Sequence, residues 1–223
     1  MRFTAHISDA MRQAAPGLTE LIIEADIANG PTGDDLWQCI TATAGRIAES
    51  YEMPMINKRP AIAATRAAYK ACGKEPNRYR PSAEALMRRA VKGMELYRTT
   101  AVVDLINLMS MVTGHSIGAF DADRVQGDVI TLGIGRHDEP YEAIGRGPLN
   151  IEGLPVWRDE AGGFGTPTSD NERTKLSADT RHLLVTVNMY GSEQPAEQIL
   201  EYAVGLLEQY ADAHNIEYAF VKA

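Results

Sequence analysis

Asp104 and Asn107 sit three residues apart in an otherwise apolar run, Thr100-Ala-Val-Val-Asp-Leu-Ile-Asn. On a helix that spacing puts both on one face. Turned to a cavity, a carboxylate and a carboxamide can grip a small polar substrate. Turned inward, they hydrogen-bond the adjoining glycine-rich loops, since buried polar groups need partners. A second concentration is Ser169, Asp170, Arg173 and Thr174, at the end of a stretch from 159 to 174 that reads as a loop rich in Gly, Thr, Ser and Asp. Loops of that kind carry binding residues, or simply make Asx-type turns. A third is basic. Between Lys58 and Arg98 there are eleven Lys and Arg against three acids, in a chain whose net charge is −8. Arg78, Arg80, Arg88, Arg89 and Lys92 could straddle phosphates while Tyr79 stacks on a base. The alternative is a solvated helix face paired with the acidic remainder.

Other chemistries find little support. His6, His137, His182 and His214 have no ligand spacing, and Cys39 and Cys72 have no partner at metal-ligand distance in sequence, so neither a metal nor a cofactor is expected. The pairs Gly133-x-Gly135 and Gly145-x-Gly147 lack the Lys-Ser/Thr ending of a nucleotide loop and read as hairpin turns. No Gly-x-Ser-x-Gly turn is present.

The elements that must position these groups follow from periodicity. Phe3, Ala5 and Ile7 alternate as a short strand, Ser8 opens a helix, and Leu18 to Ala28 reads as a central strand. Asp34 or Asp35 is placed to cap a helix through Leu36, Ile40, Ala44 and Ile47. Pro60 begins an Ala-rich helix ended by Gly73, and Ser82 is placed to cap the next, ended by Gly93. Thr99 or Thr100 opens a heavily apolar helix closed by Gly114. Short strands and glycine turns run from Ile117 to Asn150. A buried strand at 181–190, a helix from Pro195 and a final strand at 216–221 complete the chain. Helices and strands mix without strict alternation, which predicts an α+β fold with mixed sheets and packed helices.

Thr100-Ala-Val-Val-Asp104-Leu-Ile-Asn107, then Gly114-His-Ser-Ile-Gly118-Ala-Phe-Asp121, Asp123-Arg-Val-Gln-Gly127-Asp-Val-Ile, Trp157-Arg158-Asp159 and Gly165-Thr-Pro-Thr-Ser169-Asp170 resemble the tRNA-binding, amino-acid-editing domain of the phenylalanyl-tRNA synthetase beta subunit. The block from Lys58-Arg-Pro to Arg78-Tyr-Arg-Pro-Ser82-Ala-Glu84 resembles free-standing members of that family. The resemblance implies one editing-like domain over 1–223. Its N-terminal α/β part is 1–97 with the basic segment 58–98, its core is 98–190, and a C-terminal helix and strand fill 191–223. It also implies hydrolysis of the ester of a mischarged aminoacyl-tRNA by positioned water, with Asp104 and Asn107 as candidate catalytic residues and Thr100, Asp121, Ser169, Asp170, Arg173 and Thr174 binding the substrate. The chain departs from the family pattern in two places. Gly118 stands where the synthetase domains usually carry histidine, which makes His115 the candidate replacement. Thr100 stands where asparagine is common.

Nothing resembles an aminoacylating module, so ligation of an amino acid to tRNA is not expected. With 44% hydrophobic and 23% charged residues the composition is that of a globular protein. No apolar run is long enough for a membrane span and no leader pattern opens the chain, so a cytoplasmic protein is expected, with no membrane or DNA partner. The expected partner is the acceptor end of a tRNA. Two alternatives remain: a non-catalytic RNA- or amino-acid-binding module, and a small-molecule hydrolase of amino-acid esters or amides.

Overall fold

A computed structural model describes residues 1–223. A central antiparallel sheet divides the molecule. Its strands are β2 (Thr19–Asp26), β3 (Ser116–Asp121), β9 (His182–Met189) and β10 (His214–Lys222), in the order β10-β2-β9-β3. Side chains alternate across a strand, and here both faces are covered. Leu21, Ile23 and Ala25 of β2, with Leu183, Val185 and Val187 of β9, join one apolar core. That core is roofed by α2 (Asp34–Ser50), α4 (Ser82–Val91), α5 (Ala101–Thr113) and α6 (Ala196–Ala211).

Ile22 and Leu184 point to the other face, into a second core with Ile7, Ile130, Leu132, Trp157 and Phe164. These come mainly from a smaller mixed sheet of β1 (Thr4–Ile7), β4 (Val129–Ile134), β7 (Pro155–Asp159) and β8 (Gly162–Gly165), in the order β1-β4-β7-β8 with β1 parallel to β4. The short helix α1 (Asp9–Ala14) and α3 (Pro60–Ala71) add Met11 and Ala68 to it. A hairpin of β5 (Glu142–Ala143) and β6 (Gly147–Pro148) lies beside the smaller sheet. The fold is α+β, with helices, a large sheet and a small sheet in layers.

Most expected elements occur, with three local differences. Gly33, not an aspartate, caps α2, and Asp34 and Asp35 lie in its first turn, where carboxylates oppose the helix dipole. Ser82 is the first helical residue of α4 and Pro81 is its cap, because the Ser82 amide is taken by the Pro167 carbonyl at 2.8 Å. The stretch 159–174 contains β8 and a turn of 3-10 helix at Glu172–Thr174. A Cβ on Gly165 would come within 2.4 Å of the Phe120 ring and one on Gly163 within 3.0 Å of Val156. Close packing, not turn formation, uses those glycines.

Candidate functional site

The helix α5 starts where Thr100 takes an extended conformation and stops where Gly114 turns left-handed at φ 78°. Nearly all of it is buried because it is wedged between the central sheet and its neighbouring helices. Its exposed edge runs beside β3, the edge strand, and a cavity of about 340 Å³ opens there. Val103, Ile106, Ile117, Ala119, Ile144 and Leu176 give it an aliphatic wall. Thr99, Thr100, Asn107 and Ser110 of the α5 segment, Ser82 of α4, and Asp170 and Lys175 from the loop after β8 supply polar groups. The Thr100 hydroxyl has no hydrogen-bond partner within the protein. An apolar recess with a few convergent polar groups is the usual form of a small-ligand site.

Asp170 is the one carboxylate on the wall. Burial pushes it up to about 8, with the Ala119 backbone amide pulling the other way. At neutral pH it is therefore mostly protonated and can donate a hydrogen bond. Above its pKa it becomes a base facing an apolar wall. Lys175, the cation on this wall, is paired with Glu172 at 2.5 Å.

Of the residues singled out in the sequence, Thr100, Asn107 and Asp170 meet in this cavity. Asp104 does not line it. Its carboxylate accepts from the Thr32 hydroxyl, from the Thr99 amide at 3.0 Å and from the Thr99 hydroxyl at 2.8 Å. Asp104 thus pins the chain that leads into Thr100. Asp121 caps the turn after β3 through the Asp123 amide and accepts from the Thr180 hydroxyl at 2.9 Å. Arg173 grips both oxygens of Asp159 at 2.8 and 2.9 Å. Thr174 is fully buried against Phe164. The Ser169 carbonyl receives the Thr166 and Tyr141 hydroxyls, which holds the loop next to Asp170. These five are scaffold, their polar groups used by the fold itself.

His115 is fully buried, and its Nε2 lies 3.1 Å from the Ser192 hydroxyl. Burial, and then the nearby Arg59 guanidinium, push it down to about 4, so it is neutral at physiological pH. It does not line the cavity. Gly118 points to the opposite face of β3 from Ile117 and Ala119, and a Cβ there would lie 2.5 Å from the Phe120 ring and 3.0 Å from the Thr186 hydroxyl. No imidazole reaches the cavity from either position. Sequence inspection missed Ser110, Ile144 and Lys175. Ser110 follows Asn107 by three residues on the same helical face, a signal that was available.

Much of the basic segment is used internally. Glu84 is buried among Arg66 at 2.8 Å, Arg88 at 2.8 Å and Arg80 at 3.4 Å. Arg89 donates to the Glu95 carbonyl and covers the Tyr97 ring at 4.3 Å. Tyr79 has the Lys74 ammonium over its ring at 3.8 Å. Arg78, Arg80 and Lys92 remain exposed. The Arg78–Arg80 loop leads directly into α4, whose Ser82 lines the cavity.

A family model described as "B3/4 domain" matches residues 64–212, well over half of the chain and spanning every motif of the resemblance from Thr100 to Asp170. A crystal structure of an N-terminal fragment of the phenylalanyl-tRNA synthetase beta-subunit from Pyrococcus horikoshii is similar over 100% of this chain and 55% of that one, at 13% identity and a TM-score of 0.49. This chain therefore spans about half the length of that fragment. No curated protein matches significantly. No helix is long and apolar enough to cross a membrane.

Proposed function

The chain belongs to the B3/4 domain family, that of the synthetase beta-subunit domain linked to tRNA binding and editing, and from that premise we propose that it binds the charged acceptor end of a tRNA and hydrolyses mischarged aminoacyl-tRNA in trans. One observation carries the reading. Thr100, Asn107 and Asp170 converge on an open, aliphatic-walled cavity of about 340 Å³, room for one amino-acid side chain and its ester.

In this reading the aliphatic wall receives the side chain, and Thr100 and Asn107 hydrogen-bond the ammonium or the ester carbonyl. Asp170 orients the attacking water, accepting its proton once ionised. An aminoacyl ester is already activated, so positioning and stabilisation of the developing oxyanion supply most of the rate. Asp104 acts as a positioning residue through Thr99 and Thr100. Arg78 and Arg80, with Lys92 farther along, meet phosphates near the mouth. Arg88, Arg89 and Tyr79, half-buried and held by internal partners, support that edge.

A binding-only module is favoured by a specific observation, the lack of any imidazole at the cavity. Deacylation of a panel of mischarged tRNAs separates the two. Turnover abolished by Asp170→Asn and Asn107→Ala supports hydrolysis. Salt-sensitive binding without turnover supports the module. Cleavage of free amino-acid esters with no response to tRNA supports a small-molecule hydrolase.

A further inference from the structure

On the face of the central sheet away from the helices, the alternation of β2 and β9 brings four polar side chains together beneath α3. Glu20 lies directly opposite Asn188 in the β2–β9 register. Thr186 precedes Asn188 by two residues on the same face, and Tyr190, one residue past the end of β9, joins the core on that side. Opposed side chains in such a ladder start about 5 Å apart and diagonal ones about 7–8 Å. All four residues are buried, Glu20 completely. Both Glu20 carboxyl oxygens, the Thr186 hydroxyl, the Asn188 amide oxygen and the Tyr190 hydroxyl have no hydrogen-bond partner in the protein. That makes five orphaned oxygens on one patch of sheet.

Their surroundings supply no counter-charge. The helix overhead contributes Ala64 and Ala68, with Cys72 just beyond it, small groups that give the oxygens no hydrogen bond. His115, next to the Ser116 that pairs with Asn188, is neutral for the reasons given above. No basic side chain offsets the effect of burial on Glu20. A buried carboxylate without a partner costs several kcal/mol or more, and fully buried polar groups in native proteins are almost always satisfied.

We propose that Glu20, Thr186, Asn188 and Tyr190 form an internal site for a monovalent cation such as potassium or sodium. The donor set is all oxygen, which suits a hard ion. Burial favours the protonated form of Glu20 while the site is empty, so the ion enters as the carboxyl proton leaves, and the ionised donor set carries a single negative charge. A monovalent ion leaves the site neutral, whereas a divalent ion would leave a net positive charge buried. The ion would be taken up as β2 and β9 close under α3, so its binding adds to folding stability. The site lies on the opposite face of the central sheet from the tRNA-end cavity and does not depend on the reading of that cavity.

The test is thermal unfolding of the whole chain in potassium, sodium or choline chloride at matched ionic strength. The midpoint is expected to rise roughly 3–5 °C for each tenfold increase in potassium or sodium above half-saturation, with no comparable rise in choline. Glu20→Gln should abolish the difference, while Asp35→Asn, at an exposed carboxylate on α2, should keep it. Should Glu20→Gln not fold, Thr186→Val is the second variant and should weaken the cation dependence. Equal midpoints in all three salts would overturn the site and leave a protonated, water-bonded Glu20. A cation effect that survives Glu20→Gln would overturn it as well, since the ion would then sit elsewhere.

Discussion

A Cβ atom on Gly118 would lie 2.5 Å from the ring of Phe120, two residues along the same face of β3. The Phe120 ring, in turn edge-on to Phe164 with centroids 4.8 Å apart, fills the space that a side chain at 118 would need. The chain has closed this position by packing. Gly118→His is expected to destabilise the protein by roughly 1–3 kcal/mol through overpacking and to confer no new deacylation. Chemical denaturation and the deacylation assay check the two halves. A stable, faster variant would contradict the packing account.

The raised pKa of Asp170 has a consequence for stability. Between the ordinary carboxylate range and about 8 the folded state keeps a proton that the unfolded state has lost. Stability therefore falls as pH rises through that window and levels off above it. Asp170→Asn should remove the fall and melt higher than the parent at pH 8, with little difference at pH 4, as measured by thermal melts across pH. A carboxylate kept at a cost to stability fits a functional group.

Asp104 tests the positioning claim. Asp104→Ala removes the acceptor for Thr32 and for two donors of Thr99, and is expected to cost roughly 2–4 kcal/mol. If enough protein folds at low temperature, the cavity should lose affinity for a charged tRNA end through Thr100 while the pH profile of turnover keeps its inflection. A shifted inflection would place Asp104 in the chemistry itself.

The basic segment divides into two kinds of arginine. Arg78→Ala should weaken tRNA binding and lower the slope of log affinity against log salt by about 1, and Arg80→Ala should do the same with some loss of stability, because Arg80 also pairs with the buried Glu84 at 3.4 Å. Arg88→Ala should chiefly destabilise the fold, because it removes a partner of the buried Glu84. Salt-dependent binding and melting midpoints together distinguish these outcomes.

The architecture was legible where periodicity and end signals agree. Thr100 and Gly114 bracket α5, and the Leu-Leu-Val-Thr-Val run of β9 reads correctly as a buried strand. The 159–174 stretch was not, because glycine chosen for close packing in β8 looks the same in sequence as glycine chosen for a turn. Asn107 and Asp170, singled out by residue type and by the family motifs, both line the cavity. Asp104, Asp121, Arg173 and Thr174 carry the same polar signature, but they spend it on Thr99, Thr180, Asp159 and Phe164. Which way a polar side chain turns depends on long-range neighbours. The clearest case is Glu20, an acid inside an apolar strand, which ordinary alternation places but does not explain.

The central claim is that the cavity beside Asp170 performs hydrolysis on tRNA-borne esters. It is tested most directly by single-turnover deacylation of a mischarged tRNA panel across pH, with the parent chain and Asp170→Asn compared after subtraction of the spontaneous rate. The account predicts a protein-dependent rate that climbs to a plateau through an inflection near the Asp170 value of about 8, and that is lost in the variant. Equal rates for the two proteins at every pH, on every tRNA, would contradict it.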